Sequence, residues 1–407
     1  MDVKLPIYMD NQSTTPMDPR VLDAMMPYFT EVFGHPASRN HSFGWAAEEA
    51  VDKARAQVAG LIGATAKEVI FTSGATEALN LGIKGVVEMY GEKGNHVVVS
   101  SIDSRPVHDV VKRLAREKGI EVTEVPVDKE GRVSPEDVQA AIRPDTILIS
   151  VMMANNEIGV VQDMAAIGKV AKEAGVIFLT DASEAVGKVP VDVQEMGIDL
   201  LAMAGHKMYG PKGIGALFVR RKKPRVRLSA QIDGGGHERG MRSGTINVPA
   251  VVGLGKACEI CAEVMVAETA RMVALCERLK KGITEALEEV YLNGSEAHRL
   301  PHNVNLSFAF VEGESMLMGL KDVALSSGSA CTTATLEPSF VIRALGVSDD
   351  LAHSSIRFSL GRFSTVEEVD WVIAKVIETV NHLRAMSPLY DMFKEGVDLS
   401  TVTWKGH

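Results

Sequence analysis

The stretch "DLLAMAGHKMYGPKGIGALFV", Asp199–Val219, holds two short apolar runs separated by a turn rich in glycine and proline. "DLLAMAG" (199–205) and "GIGALFV" (213–219) are short, almost continuously apolar and bounded by turn residues, the pattern of strands buried on both faces. Between them Lys207 stands where the first apolar run stops, next to His206 and the turn "MYGPKG" (208–213). A lysine so placed is either a solvated loop residue or an amine held at the edge of a core. In the second case, loss of water frees its lone pair for nucleophilic chemistry. Lys212, inside "GPKG", reads as a plain solvated loop lysine.

The same punctuation extends upstream. "EVIFTSG" (68–74), "HVVVSS" (96–101), "IEVTEVPV" (120–127), "TILISVM" (146–152) and "GVIFLTDA" (175–182) read as further strands, which makes seven with the two already quoted. The segments "ATEALNLGIKGVVEMYGEK", "PVHDVVKRLAREKG", "SPEDVQAAIRPD" and "MAAIGKVAKEAG" lie between them and carry helical periodicity. Strands alternating with helices predict an α/β fold, a mostly parallel seven-stranded sheet covered on both faces. From Val251 to Glu289 a long helical pattern leads into a second lobe. There "VNLSFAFVEG", "LSSGSACTT" and "SSIRFSLG", closed by a helix near 365–386, predict a smaller C-terminal α+β domain with a mostly antiparallel sheet. The expected division is a large domain over 15–260 and a small one over 1–14 and 261–407. The tail "SPLYDMFKEGVDLSTVTWKGH" reads as a docking segment.

At 407 residues, 46% hydrophobic and 24% charged, the chain has room for a sizeable core in two or three lobes. Its 43 basic against 53 acidic side chains give a net charge of −10. That balance argues against nucleic acid or an anionic membrane as a main partner, leaving "RRKKPRVR" (220–227) as a local basic patch. No apolar leader and no membrane-length apolar run is visible, and four cysteines make no disulfide framework, so a reducing cytoplasm is the expected compartment. Cys258 and Cys261 form a C-x-x-C on one face of a helical pattern without a second pair. Core packing is the default for them and for Cys276. No metal site is expected.

Several groups at strand ends could do chemistry. Ligands of open α/β sheets bind at the carboxyl ends of strands. "VIFTSGATEALNLGI" is a strand, a turn and a helix start, where backbone amides and the Thr76 hydroxyl could cradle a phosphate, or Thr76 could simply cap. Asp181 ends "GVIFLTDA", a costly place for a carboxylate unless it is paired, either with a protonated pyridine nitrogen or as a helix cap. His206 adds a donor for phosphate. A strand-end Asp181, a later strand-end Lys207 and an upstream phosphate cradle together fit a pyridoxal phosphate site. Cys331, in the Ser/Gly/Thr-rich "LSSGSACTTATLEPS", sits where a thiol can be accessible and reactive. Arg357 in "HSSIRFSLG" could clamp a carboxylate with its planar guanidinium, or be a surface strand arginine.

The segments "SGATEALNLGIKG", "NNEIGVVQD", "TDASEAVGK", "GHKMYGPKGIGAL", "GGGHERGMRSGT", "SSGSACTTATLEPS" and "LAHSSIRFSLGRF" resemble the class V, fold-type I pyridoxal phosphate enzymes, and most closely the IscS-type cysteine desulfurases. The resemblance runs from about Leu5 into the tail. It implies a homodimeric transferase that takes sulfur from L-cysteine and hands it to an iron–sulfur scaffold protein and other acceptors. It further implies that Lys207 bonds covalently to the cofactor and that Asp181 pairs with its ring nitrogen. Ala75, Thr76 and His206 would hold the phosphate, with Thr245 reaching it from the other subunit. Asn155 would bind near the ring oxygen or the substrate, and Arg357 would hold the substrate carboxylate. Cys331 would take the sulfur as a persulfide, leaving alanine, and could serve as a transient iron–sulfur ligand.

Three positions depart from the family pattern. Ser104 occupies the catalytic position where the family has a ring-stacking histidine, and a hydroxymethyl neither stacks nor exchanges protons well at neutral pH. His108 lies one turn further on, and reads as a helix-surface or core histidine. Glu184 replaces a glutamine that donates to the ring oxygen. An ionised carboxylate only accepts, so it would repel that oxygen, take up a proton itself, or make the nitrogen bonded to the cofactor hold its proton more tightly. Ala204 replaces a serine that bonds the phosphate; the lost bond to a charged group contributes about 1.5–3 kcal/mol. These changes leave two further expectations open: a related enzyme acting on another amino acid as a lyase, decarboxylase or transaminase, or a weakly active desulfurase-like scaffold.

Overall fold

The computed structural model describes residues 3–327 and 338–396. Its main sheet has seven strands: β1 (Val69–Thr72), β2 (His96–Ser100), β3 (Glu121–Val125), β4 (Thr146–Ser150), β5 (Ile177–Asp181), β6 (Leu200–Ala204) and β7 (Gly215–Val219). Their order is β1-β7-β6-β5-β4-β2-β3. β7 runs antiparallel to both neighbours, and the other pairings are parallel. The sheet is therefore mixed. Every residue of β1, β2 and β4–β7 is buried, in keeping with their mostly apolar sequences. Only β3, "EVTEV" at the edge, leaves its glutamates in solvent, where charge discourages edge-to-edge pairing.

Side chains alternate across the sheet. Phe178 of β5 joins one core with Val58, Phe71, Phe218 and Leu254, while Ile177 and Leu179 join another with Leu79, Ile83 and Val107. The first core is covered by α1 (Ser42–Leu61), the second by α2 (Ala75–Tyr90) and α3 (Arg105–Lys118). α4 (Pro135–Ala141) stops short of the expected "IRPD": Pro144 disfavours the helical region at Arg143, and the chain has already turned extended at Ile142. α5 (Met164–Ala174) ends at Gly175, whose φ of 69° is the left-handed cap conformation that glycine accepts freely.

α6 (Val248–Thr284) starts at the Asn247 cap and crosses residue 260 without a break. Its first half packs Val251, Leu254 and Cys258 against the main sheet; its second half packs Met272, Leu275 and Leu279 into a separate core. That second core also holds Ile7 and Met9 from the chain start. It is built on an antiparallel sheet of β8 (Val290–Leu292), β9 (Asn303–Phe308), β10 (Ser326–Ser327) and β11 (Ser355–Ser359), in the order β10-β11-β9-β8. α7 (Val366–Arg384) closes it. Cys258, Cys261 and Cys276 are buried free thiols. Burial pushes all three up, Cys276 to about 12, so they are inert packing groups. The described part of the tail, a helix over Pro388–Lys394, packs Tyr390 and Phe393 with tilted rings against Phe310 of the same chain. Among the described residues no helix is long and apolar enough to cross a membrane, and no three metal-ligating side chains cluster.

Candidate active site

A cavity of about 560 Å³ opens at the carboxyl ends of β1, β5 and β6. β5 delivers Asp181, and the turn after it delivers Glu184. β6 delivers Ala204, and a tight turn over Gly205–Lys207 then presents His206 and Lys207. The N-terminus of α2 supplies Ala75 and Thr76, and the residue ahead of α3 supplies Ser104. Eight sequence-predicted residues from four connections thus share one wall.

Lys207 is mostly buried, with 17% of its side chain exposed. Its Nζ donates to the backbone oxygen of Gln12 and, at 2.5 Å, to Oε1 of Glu184, which is 3% exposed. The turn is tied down from behind: Thr15 Oγ1 donates to the His206 carbonyl at 2.8 Å and accepts from the Tyr209 amide at 2.8 Å. His206 Nδ1 lies 3.1 Å from Thr14 Oγ1. Burial, then the charges of Lys207 and Lys212, hold its imidazole down at about 4, so it is neutral. Asp181 Oδ1 accepts from the Ser183 amide at 3.0 Å.

The start of α2 has no side-chain cap. Glu77, held by Arg242 at 2.8 Å, accepts from the Ser73 amide at 2.7 Å. A Cβ added to Gly74 would meet nothing within 4 Å, so space stands open beside the helix amides. Uncapped amides with the positive end of the helix dipole form an anion site. Ser104 Oγ and Ser183 Oγ, both at the wall, are buried without a partner. Buried hydroxyls are normally satisfied, so these two point to a polar occupant.

Other expected residues stand elsewhere. Asn155 is committed to its own loop: Oδ1 accepts from Glu157 and Ile158 amides at 2.9 and 3.1 Å, and Nδ2 donates to the Ile102 carbonyl at 3.1 Å. Its neighbour Asn156 lines the cavity instead. Arg357 is buried on β11, not at the surface. It donates to the Asn156 carbonyl at 2.7 Å, Asp10 at 2.6 Å, Ser13 at 2.7 Å and Ser326 at 3.0 Å, with Nε unpartnered. Thr245 lines a separate cavity of about 160 Å³ with Thr72, Ser73 and Arg242. Cys331 lies outside the described residues. His108 is off the cavity, its ring edge-on to Phe340 at 5.6 Å.

Two residues gained a place that sequence reasoning withheld. Lys212 is exposed, yet it lines the mouth of the cavity. Asp103 is fully buried behind the wall, its oxygens accepting from the Ser104 amide at 2.8 Å and Ser150 Oγ at 2.9 Å. Burial, helped by the charge of Asp181, raises it to about 7. An aspartate three residues past an apolar strand was the available signal, close to the strand-end placing that singled out Asp181.

The aminotransferase class-V family model matches residues 7–372. The chain belongs to the class-V aminotransferases. Among full-length relatives of this class-V chain, the cysteine desulfurase IscS of Anaeromyxobacter dehalogenans is 58% identical over 402 residues, 99% of each chain. A solved NifS-like protein aligns with a TM-score of 0.85 at 32% identity, over 92% of this chain and 99% of its own. A structure described as SspA in complex with cysteine aligns with a TM-score of 0.77 at 33% identity, over 88% of this chain and 100% of its own. In this class-V chain the family's fold-type I architecture carries the cavity described above.

Proposed function

We propose that the chain is a pyridoxal phosphate-dependent cysteine desulfurase: it moves the sulfur of L-cysteine onto Cys331, releases alanine, and passes the sulfur to iron–sulfur cluster assembly. The observation that carries this reading is the convergence of Lys207, Asp181 and the uncapped start of α2 on one cavity. The names of the full-length relatives support it.

The residues present fit the cofactor. The amides at Ala75 and Thr76, with His206, suit a phosphate; the Lys207 amine suits an aldehyde; Asp181 suits a protonated ring nitrogen; and unpaired Ser104 and Ser183 hydroxyls await polar partners. When bound, pyridoxal phosphate supplies an electron sink for charge developing at the substrate carbons. The chain does the rest. Lys207 exchanges protons at its Nζ, and Asp181 would pair with the cofactor's protonated ring nitrogen. Arg357 meets the substrate carboxylate, exchanging its bond to Asp10 for it. The substrate C–S bond breaks as an S–S bond to Cys331 forms, and the freed carbon gains a proton. Cysteine plus thiol become alanine plus persulfide, with no external oxidant.

The working unit is a homodimer in which Thr245 serves the partner's phosphate, its sulfur acceptors include an iron–sulfur scaffold, and its compartment is the cytoplasm. The domain division is 15–260 against 1–14 with 261–407.

The test is L-cysteine added to cofactor-loaded protein with a thiol reductant, with alanine and sulfide as readouts. Both form if the reading holds, and Cys331→Ala cuts alanine formation at least roughly a hundredfold, because the covalent acceptor is gone. Full cofactor occupancy with neither product rejects it. Ser104 and Glu184 favour a second reading, a ring pocket rebuilt for another amino acid. Turnover of an amino acid other than cysteine that survives Cys331→Ala selects that one.

A further inference from the structure

We propose that Glu184 is a catalytic residue that keeps a proton on the Nζ nitrogen of Lys207, both before that nitrogen captures the cofactor and afterwards. The proposal rests on the pyridoxal phosphate reading above and specifies how the reacting nitrogen is controlled.

The geometry is specific. Lys207 Nζ donates to two acceptors, the Gln12 carbonyl and Glu184 Oε1, the latter at 2.5 Å. Only the second carries charge. Glu184 has 3% of its side chain exposed, and Lys207 is the cation it pairs with among the described residues. An opposite charge at hydrogen-bond distance favours the protonated amine, and the attraction is stronger for this mostly buried pair than in water. A carbonyl alone cannot do this, because it bonds an amine and an ammonium without a charge of its own.

The surrounding charges do not replace Glu184. Asp181 lies on the same wall with one oxygen bonded to the Ser183 amide. His206 is neutral, and burial likewise keeps His302 neutral. Lys212 and Arg105 are exposed at the mouth, Glu77 is held by Arg242, and Arg357 is held by Asp10. Asp103, buried behind Ser104, bonds Ser150 and the Ser104 amide. None of these side chains bonds Nζ.

Two consequences follow for this chain. In the cofactor-free protein the ammonium has no lone pair, so one N–H bond must break before a carbonyl carbon can be attacked. The proton goes to Oε1, which turns an ion pair into a neutral amine and a neutral acid, and no charge is lost to solvent. In the loaded protein the same carboxylate stabilises a proton on that nitrogen and moves the loss of the proton to higher pH. A glutamine at 184 would bond the nitrogen without holding its charge.

The experiment uses cofactor-free full-length protein mixed with pyridoxal phosphate between pH 6 and 10. Visible absorbance follows capture, and borohydride trapping with peptide mass analysis locates it on Lys207. Glu184→Gln is expected to capture roughly threefold or more faster at pH 7, and the pH midpoint of its visible band to fall by about one unit or more, since one buried opposite charge is gone. Glu184→Asp keeps the charge on a shorter arm and is expected to fall between the two; it also carries the test if the glutamine variant does not fold. Identical pH dependence in all three proteins overturns the proposal. If the unaltered chain traps no cofactor on Lys207, the cofactor reading fails, and this inference fails with it.

Discussion

Replacing Lys207 with alanine is expected to abolish alanine production from L-cysteine, by at least roughly 10³-fold, because covalent capture and proton exchange at Nζ are lost together. The same change is expected to destabilise the cofactor-free protein by about 3–5 kcal/mol, the usual consequence of removing one partner of a buried ion pair. The geometry decides this second effect. Glu184 is 3% exposed and has no other cation to turn to among the described residues. The penalty belongs to the stranded carboxylate rather than to the missing amine. Pairing Lys207→Met with Glu184→Leu should recover the stability, since an apolar pair of similar volume replaces a buried ion pair at little cost. It should recover none of the activity. Urea unfolding at pH 8, with alanine assays on the same samples, separates the two effects. A Lys207→Ala protein as stable as the unaltered chain at pH 8 would mean that Glu184 is solvated.

Much of this site was legible because polar residues at the ends of apolar strands are expensive unless they are used. Asp181 and Lys207 announced themselves in that way, and so did the strands that carry them. The pairing of Lys207 with Glu184 did not. It spans 23 residues and exists only because β5 and β6 are neighbours in the sheet. The antiparallel run of β7 had a readable cause that strand patterns hide. Ten residues separate Ala204 from Gly215, too few for the crossover that parallel neighbours need. Asn155 is a further case: that its amide ties its own loop together is visible only in the fold. The position of Asp103 just past β2 was visible in the sequence, but its role depends on burial behind Ser104, which only packing reveals.

Arg362→Ala is expected to lower the unfolding free energy by about 3–5 kcal/mol, while Arg278→Ala changes it by less than about 1 kcal/mol. Both arginines bind carboxylates at close range, so distance alone does not separate them. Arg278 meets Asp370 at 2.5 Å with half of its side chain in solvent, where water competes for both charges. Arg362 has 7% of its side chain exposed and serves two carboxylates: Asp18 at 2.7 Å, itself 2% exposed, and Glu268 at 2.5 Å. Its removal strands Asp18 with Arg20 alone, and that arginine is half in solvent. Arg362 also lies 4.2 Å from the centroid of the Tyr209 ring, and its backbone amide donates to the Tyr209 hydroxyl at 2.6 Å. Tyr209 is two residues past Lys207 and holds a φ of 64°, a conformation that a bulky side chain keeps only when its surroundings impose it. The clamp on Tyr209 is thus part of what fixes the turn carrying the reactive amine. Arg362→Ala should accordingly lose cofactor during gel filtration under conditions where Arg278→Ala retains it. Thermal unfolding and the visible spectrum of the eluted protein give both readouts. If Arg362→Ala unfolds within about 1 kcal/mol of the unaltered chain, the Asp18–Arg362–Glu268 network is solvated and the turn is held by its other ties, Thr15 among them.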